Sequence, residues 1–176
     1  SAQVPGSRAL LAHCGSLSKV LSPGLRVGWM IAPADLLARA TMCKQFSDAH
    51  TSTFAQATAA QYLKAGRMPG TLAKVRAVYA ERARTMGEAL RTELGDAISF
   101  SQPGGGLFFW ARLTGAGGKV QDGNELAKRA IEKGVAFVPG TPFFASQPDH
   151  ATLRLSFATA DVAKIREGVA RLGQAL

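Results

Sequence analysis

Residues 15–29, GSLSKVLSPGLRVGW, decide how the rest of the chain is read. Lys19 stands among hydroxyls and a guanidinium: Ser16 lies three residues before it, Ser18 immediately before it, and Arg26 seven residues after. Upstream, RALLAHC (Arg8 to Cys14) reads as a short buried strand running into the motif. Downstream, RVGWMIA (Arg26 to Ala32) reads as a strand leaving it. Ser22-Pro23-Gly24 between them is turn chemistry, because proline fixes φ and glycine accepts positive φ. A lysine on a tight strand-to-strand connection, with hydroxyls and an arginine converging on it, suits a phosphate-bearing carbonyl compound. Ser16, Ser18 and Arg26 would hold the dianion through charge-assisted hydrogen bonds, and the amine would condense with the carbonyl.

Outward from this stretch, Pro33-Ala34-Asp35 opens a helix towards Ser47, with Leu36, Leu37, Ala40 and Cys43 on one side and Asp35 complementing its dipole. A second helix is expected over Thr53 to Ala65, with Phe54, Ala57, Ala60, Gln61 and Lys64 at helical spacing. Met68 to Thr71 marks a break, and Thr71 is placed to cap the longest helix, Leu72 to Leu94. Its apolar stripe runs through Val75, Val78, Tyr79, Met86, Leu90 and Leu94, interrupted by Arg82, and Gly95 is a natural C-cap.

Beyond Ala97 the pattern changes to short strands. Ile98 to Ser101, Leu107 to Leu113, Val135 to Val138 and Thr152 to Phe157 read as strands; Gly115 to Gly118 reads as a flexible loop. Helices are expected from Asp122 or Gly123 to Glu132, with Leu126, Ala130 and Ile131 inward, and from Asp161 to Leu172. Strands and helices in this order predict a small α+β domain, a largely antiparallel sheet with helices on one face.

The 176 residues carry a formal charge of +9, which raises nucleic acid as a partner. The cations are scattered along helices, at Lys64, Arg67, Lys74, Arg76, Arg82, Arg84 and Arg91, with no tract and no nucleic-acid-binding pattern, so solvated helix faces explain them. No apolar run is long enough to span a bilayer. Two cysteines make neither a disulfide framework nor a metal signature, and His13, His50 and His150 have no ligand spacing. A reducing, cytoplasmic setting fits.

Ser-x-Ser-Lys followed by Pro-Gly-Leu-Arg-x-Gly resembles the cofactor-lysine segment of fold-type I pyridoxal-phosphate aminotransferases of class I/II. It is most similar to the branch of aminoadipate/kynurenine aminotransferases and MocR-type regulators. PGGGLFFWARL, GVAFVPGTPFF and LRLSFA resemble, in order, further segments of that family's small domain. The resemblance implies an α/β chain forming the C-terminal part of the pyridoxal-phosphate-dependent transferase fold. Residues 1–70 would end the large α/β domain, 71–95 would form a connecting helix, and 96–176 would form the small α+β domain.

It further implies that Lys19 forms the Schiff base with pyridoxal 5′-phosphate and moves a proton at the substrate carbon, and that Ser16, Ser18 and Arg26 bind the phosphate. Arg154 would clamp the substrate carboxylate, since a guanidinium fork matches a carboxylate bidentately. Phe108, Phe109, Phe143 and Phe144 line a side-chain pocket or belong to the core. Amino acid and 2-oxo acid substrates and a homodimer follow from the same resemblance.

One departure stands out: the family places a carboxylate partner for the pyridine nitrogen upstream of the lysine, and none of the eighteen residues before Lys19 is Asp or Glu. The expectation is therefore a C-terminal fragment with little activity by itself. Three readings follow: the C-terminal portion of an aminotransferase, the effector-sensing portion of a regulator with an upstream DNA-binding domain, or a domain that keeps the fold without cofactor.

Overall fold

A computed structural model describes residues 4, 6–115, 118 and 120–176. It divides into two compact units, Ser1–Lys74 and Val75–Leu176.

In the first unit, β1 (His13–Ser16) and β2 (Gly28–Ile31) form an antiparallel two-stranded sheet with Gly15 opposite Trp29. The strand read over Arg8 to Cys14 is corrected here. Ser7–Leu10 is a 3₁₀ turn, the strand starts at His13, and Cys14 is exposed. Only β2 pairs with β1 among the described residues, so the burial that an apolar run signals is not supplied. The expected turn is a 3₁₀ turn over Pro23–Leu25.

Helices α1 (Ala34–Asp48) and α2 (Thr53–Lys64) follow. On α1, Leu37 and Ala40 are half-buried, while Leu36 and Cys43 stay exposed. On α2 the buried residues are Ala55 and Ala59, each next to an expected position, Phe54 and Ala60, while Ala57 is not buried. This helix packs against the Pro23–Leu25 turn, and a close approach selects alanine over the larger Phe54.

The long helix α3 runs over Met68–Leu94, so the segment expected as a break is its first turn. Pro69 is tolerated there because the first-turn N–H groups have no partner within the helix. Thr71 does not cap the helix; its hydroxyl hydrogen-bonds the Tyr62 hydroxyl.

In the second unit, β3 (Ile98–Phe100), β4 (Phe108–Leu113), β5 (Val138–Pro139) and β6 (Thr152–Ser156) form an antiparallel sheet in the order β3-β4-β6-β5. Alternation along β4 sends Phe109, Ala111 and Leu113 into the core and leaves Phe108, Trp110 and Arg112 on the other face. Met86, Leu90 and Leu94 of α3 pack into that core. So do Leu126 and Ala130 of α4 (Gly123–Glu132), and Ile165, Val169 and Leu172 of α5 (Val162–Ala175). Each fully buried Phe or Leu contributes ~1.5–3 kcal/mol, and Phe109 and Phe157 add an edge-to-face contact at 5.9 Å.

Two expectations fail in this unit. Ile131 points outward, 64% exposed. The strand read from Val135 shrinks to Val138–Pro139, because the Val135 N–H still bonds the Ala130 carbonyl at the end of α4. The loop read over Gly115 to Gly118 lies in part outside the described residues.

Candidate functional site

Leu17, which sequence reasoning passed over, anchors the lysine segment. Its side chain is 6% exposed. Its N–H donates to the Val27 carbonyl at 3.0 Å, and its own carbonyl accepts from the N–H groups of Val20, Leu21 and Ser22. One residue thus closes the loop in both directions and sets the turn that carries Ser18 and Lys19. The signal for it was an apolar residue alone among serines.

The hydroxyls and the guanidinium gather on this loop. The Ser18 N–H donates to the Ser16 hydroxyl at 3.0 Å. Arg26 donates through Nη1 to the Ser18 hydroxyl at 3.5 Å and to the Pro23 carbonyl at 3.2 Å. Arg26 holds a left-handed backbone, φ 55°, a conformation that costs a residue with a side chain about 1–3 kcal/mol and clusters at ligand-binding positions. Its side chain also lines an open groove of about 530 Å³ with Gly15, Trp29 and Lys44. Lys19 is exposed and its side chain makes no hydrogen bond or ion pair among the described residues; the hydrogen bonds of the loop join Ser18 to Ser16 and to Arg26, not to the lysine. Two hydroxyls and a guanidinium fit the chemistry of a phosphate dianion.

Arg154, in the second unit, lies on the outer face of β6, opposite Trp110 on β4 and Val138 on β5. Its Cζ sits 4.3 Å from the ring centroid of Phe108 and 4.4 Å from that of Phe143. Trp110 meets the rings of Phe143 and Phe144 at 5.7 and 6.1 Å. The Arg154 Nε is buried without a hydrogen-bond partner. Of the four phenylalanines considered from the sequence, only Phe109 is core, fully buried. The other three share the outer face with Arg154, and the period-2 alternation of β4 was the signal for Phe108.

The α/β architecture is that of the pyridoxal-phosphate-dependent aminotransferase fold. The sequence model of the family "Aminotransferase class I and II" matches residues 3–172, and the chain belongs to that family. Pyridoxal phosphate is the family's cofactor. The chain is 44% identical over 164 residues to a 2-aminoadipate transaminase of Thermus thermophilus, covering 93% of this chain and 40% of that protein. It is 33% identical to the HTH-type transcriptional regulator TauR of Rhodobacter capsulatus, covering 94% of this chain and 34% of the regulator.

In structure it is similar to the α-aminoadipate aminotransferase LysN of Thermus thermophilus, solved with N-(5′-phosphopyridoxyl)-L-leucine. The TM-score is 0.87 at 42% identity, over 99% of this chain and 43% of that one. The architecture is α/β and matches the C-terminal part of the aminotransferase fold. The chain spans about two-fifths of the length of the aminotransferases it matches. Among the described residues no helix is long and apolar enough to cross a membrane.

Proposed function

We propose that this chain is the cofactor-lysine and substrate-carboxylate part of a cytoplasmic, homodimeric aminotransferase that exchanges an amino group between an amino acid and a 2-oxo acid. The observation that carries this reading is the Arg26 guanidinium, held by the Pro23 carbonyl and the Ser18 hydroxyl on the loop that bears Lys19. Ser16, Ser18 and Arg26 hold the phosphate of the cofactor. Pyridoxal phosphate, when bound, supplies the electron sink for a deprotonated substrate carbon. The Lys19 amine takes and returns the proton at that carbon. Arg154 grips the substrate carboxylate through its N–H edge.

The test is borohydride reduction of the full gene product with pyridoxal phosphate, followed by peptide mass mapping. A phosphopyridoxyl mass on Lys19, absent in Lys19→Ala, is the expected result. Label on another lysine, or equal label in Lys19→Ala, overturns the assignment.

A second reading has its own support. Several relatives are HTH-type transcriptional regulators, including TauR at 33% and YdfD of Bacillus subtilis at 31% identity. In that reading the same residues hold the cofactor to sense an amino acid, and nucleic acid becomes a partner through a separate DNA-binding domain. Label on Lys19 without amino-group transfer to any 2-oxo acid, together with sequence-specific DNA binding, would decide for the regulator.

A further inference from the structure

Arg154 is held in an unusual way for a strand arginine. Its side chain makes no hydrogen bond and no ion pair among the described residues, and its Nε is buried. The guanidinium's only described partners are the ring faces of Phe108 and Phe143, at 4.3 and 4.4 Å. The rings come from elements that flank β6 on either side: Phe108 from β4, and Phe143 from the 3₁₀ turn (Thr141–Phe143) that follows β5. That turn is itself fixed, because the Gly140 N–H donates to the Thr152 carbonyl at 2.7 Å. A side chain at Gly140 would meet the Thr152 hydroxyl at 1.9 Å, so only glycine lets the turn come this close to β6.

An aromatic face attracts the guanidinium charge but offers no lone pair in the plane of its N–H groups. The rings therefore restrict the side chain while leaving its directional donors unsatisfied. An unpaired buried N–H is costly, and an acceptor that restores its hydrogen bond regains that cost. A carboxylate brings two such acceptors in one plane. Two short, stiff aromatic side chains also remove rotamer freedom from a residue that otherwise loses about 2 kcal/mol of side-chain entropy on binding.

We infer that Phe108 and Phe143 are positioning residues, which hold the Arg154 guanidinium ready for a planar carboxylate on a ligand that carries an apolar group. The inference rests on the assignment of Arg154 as the carboxylate clamp. The carboxylate's neighbours would be Trp110 and Phe144, 44% and 36% exposed on the same face, which favours a ligand carrying a hydrocarbon group over a bare anion.

The test uses 3-phenylpropionate, a carboxylate without an amino group, and acetate as the bare counterpart. Each is titrated into the full gene product while the Arg154 Nε–H resonance is followed by ¹H–¹⁵N NMR. The resonance is assigned by its loss in Arg154→Lys, and affinity for that variant is read by calorimetry. The expected result is a saturable shift with 3-phenylpropionate, at least about tenfold tighter than with acetate. Phe143→Leu and Phe108→Leu should each weaken 3-phenylpropionate about tenfold, the scale of one partly buried cation–π contact, and Phe143→Tyr should restore it. Both phenylalanines are partly exposed, so these changes leave the core intact, which unchanged melting temperatures verify. If Arg154→Lys abolishes binding while both leucine variants bind like the parent, the positioning role is overturned and the clamp stands. If Arg154→Lys binds like the parent, the clamp itself is overturned and the inference falls with it.

Discussion

Gly15 shows how much of the lysine segment depends on single atoms. A β-carbon built there would lie 2.2 Å from two carbons of the Trp29 indole, which crosses it from the paired strand. Gly15→Ala must displace the indole or slip the strands, an overpacking cost of about 1–3 kcal/mol. We expect a lower melting temperature, a shifted Trp29 emission and a weaker affinity for pyridoxal phosphate in the full gene product. Unchanged melting and emission would show that the indole does not lie across Gly15. The clustering at this scale was legible: Ser18 and Arg26, eight residues apart in the sequence, share a hydrogen bond in the fold. The left-handed backbone of Arg26 and the double anchoring by Leu17 were not. Both arise from the closed path of the loop, which no side-chain pattern encodes.

At the scale of elements, α4 illustrates what local sequence can specify. Asp122 accepts the Asn124 N–H at 2.7 Å and caps the helix. That bond, followed by the Asn124 side-chain amide, holds the Asp122 carboxyl below the usual 3.8. Asp149, nearby in this unit, is likewise held low, first by the hydrogen bond from Arg112 and then by the Ala151 N–H. A carboxyl depressed in the folded state contributes stability that is complete above the unfolded value and drains away as pH falls through the folded one. Acidification below 3.8 should therefore destabilise this unit.

Asp122→Ala should cost about 1 kcal/mol near neutral pH. Asp122→Ala combined with Asp149→Asn should flatten the loss between about pH 5 and pH 2.5, read by urea denaturation. An equal acid loss in the double variant and the parent would refute this account.

Helix starts at Asp122 and Asp161 and short apolar runs made α4, α5, β4 and β6 readable from the sequence. The misread elements were those whose ends are set by contacts distant in sequence or by competing bonds. The Ala130 carbonyl keeps Val135 from the sheet, and the first turn of α3 absorbs Pro69 where a break was expected. The phase of α2 was likewise decided by the turn it packs on.

For the whole chain, two opposing forces are written on the surface. The net charge of +9 spreads over helix faces and repels like molecules at low ionic strength. Against it stand large apolar side chains left in contact with solvent. Met42 and Phe46, one helical turn apart on α1, are 62% and 84% exposed, and Phe54 at the start of α2 is 81% exposed. Exposed apolar area of this kind drives association, and salt screens the opposing repulsion with a Debye length of about 10 Å at 0.1 M. The 176-residue chain should therefore sediment closer to a monomer at low salt and with a rising average mass as salt increases. An association held by ion pairs would show the opposite dependence. Replacing Met42 and Phe46 together by serine should suppress the rise without altering the helical circular dichroism, because neither side chain contributes to a core. A parent that stays monomeric at every salt concentration, or a double variant that associates as strongly as the parent, would remove α1 as the associating face.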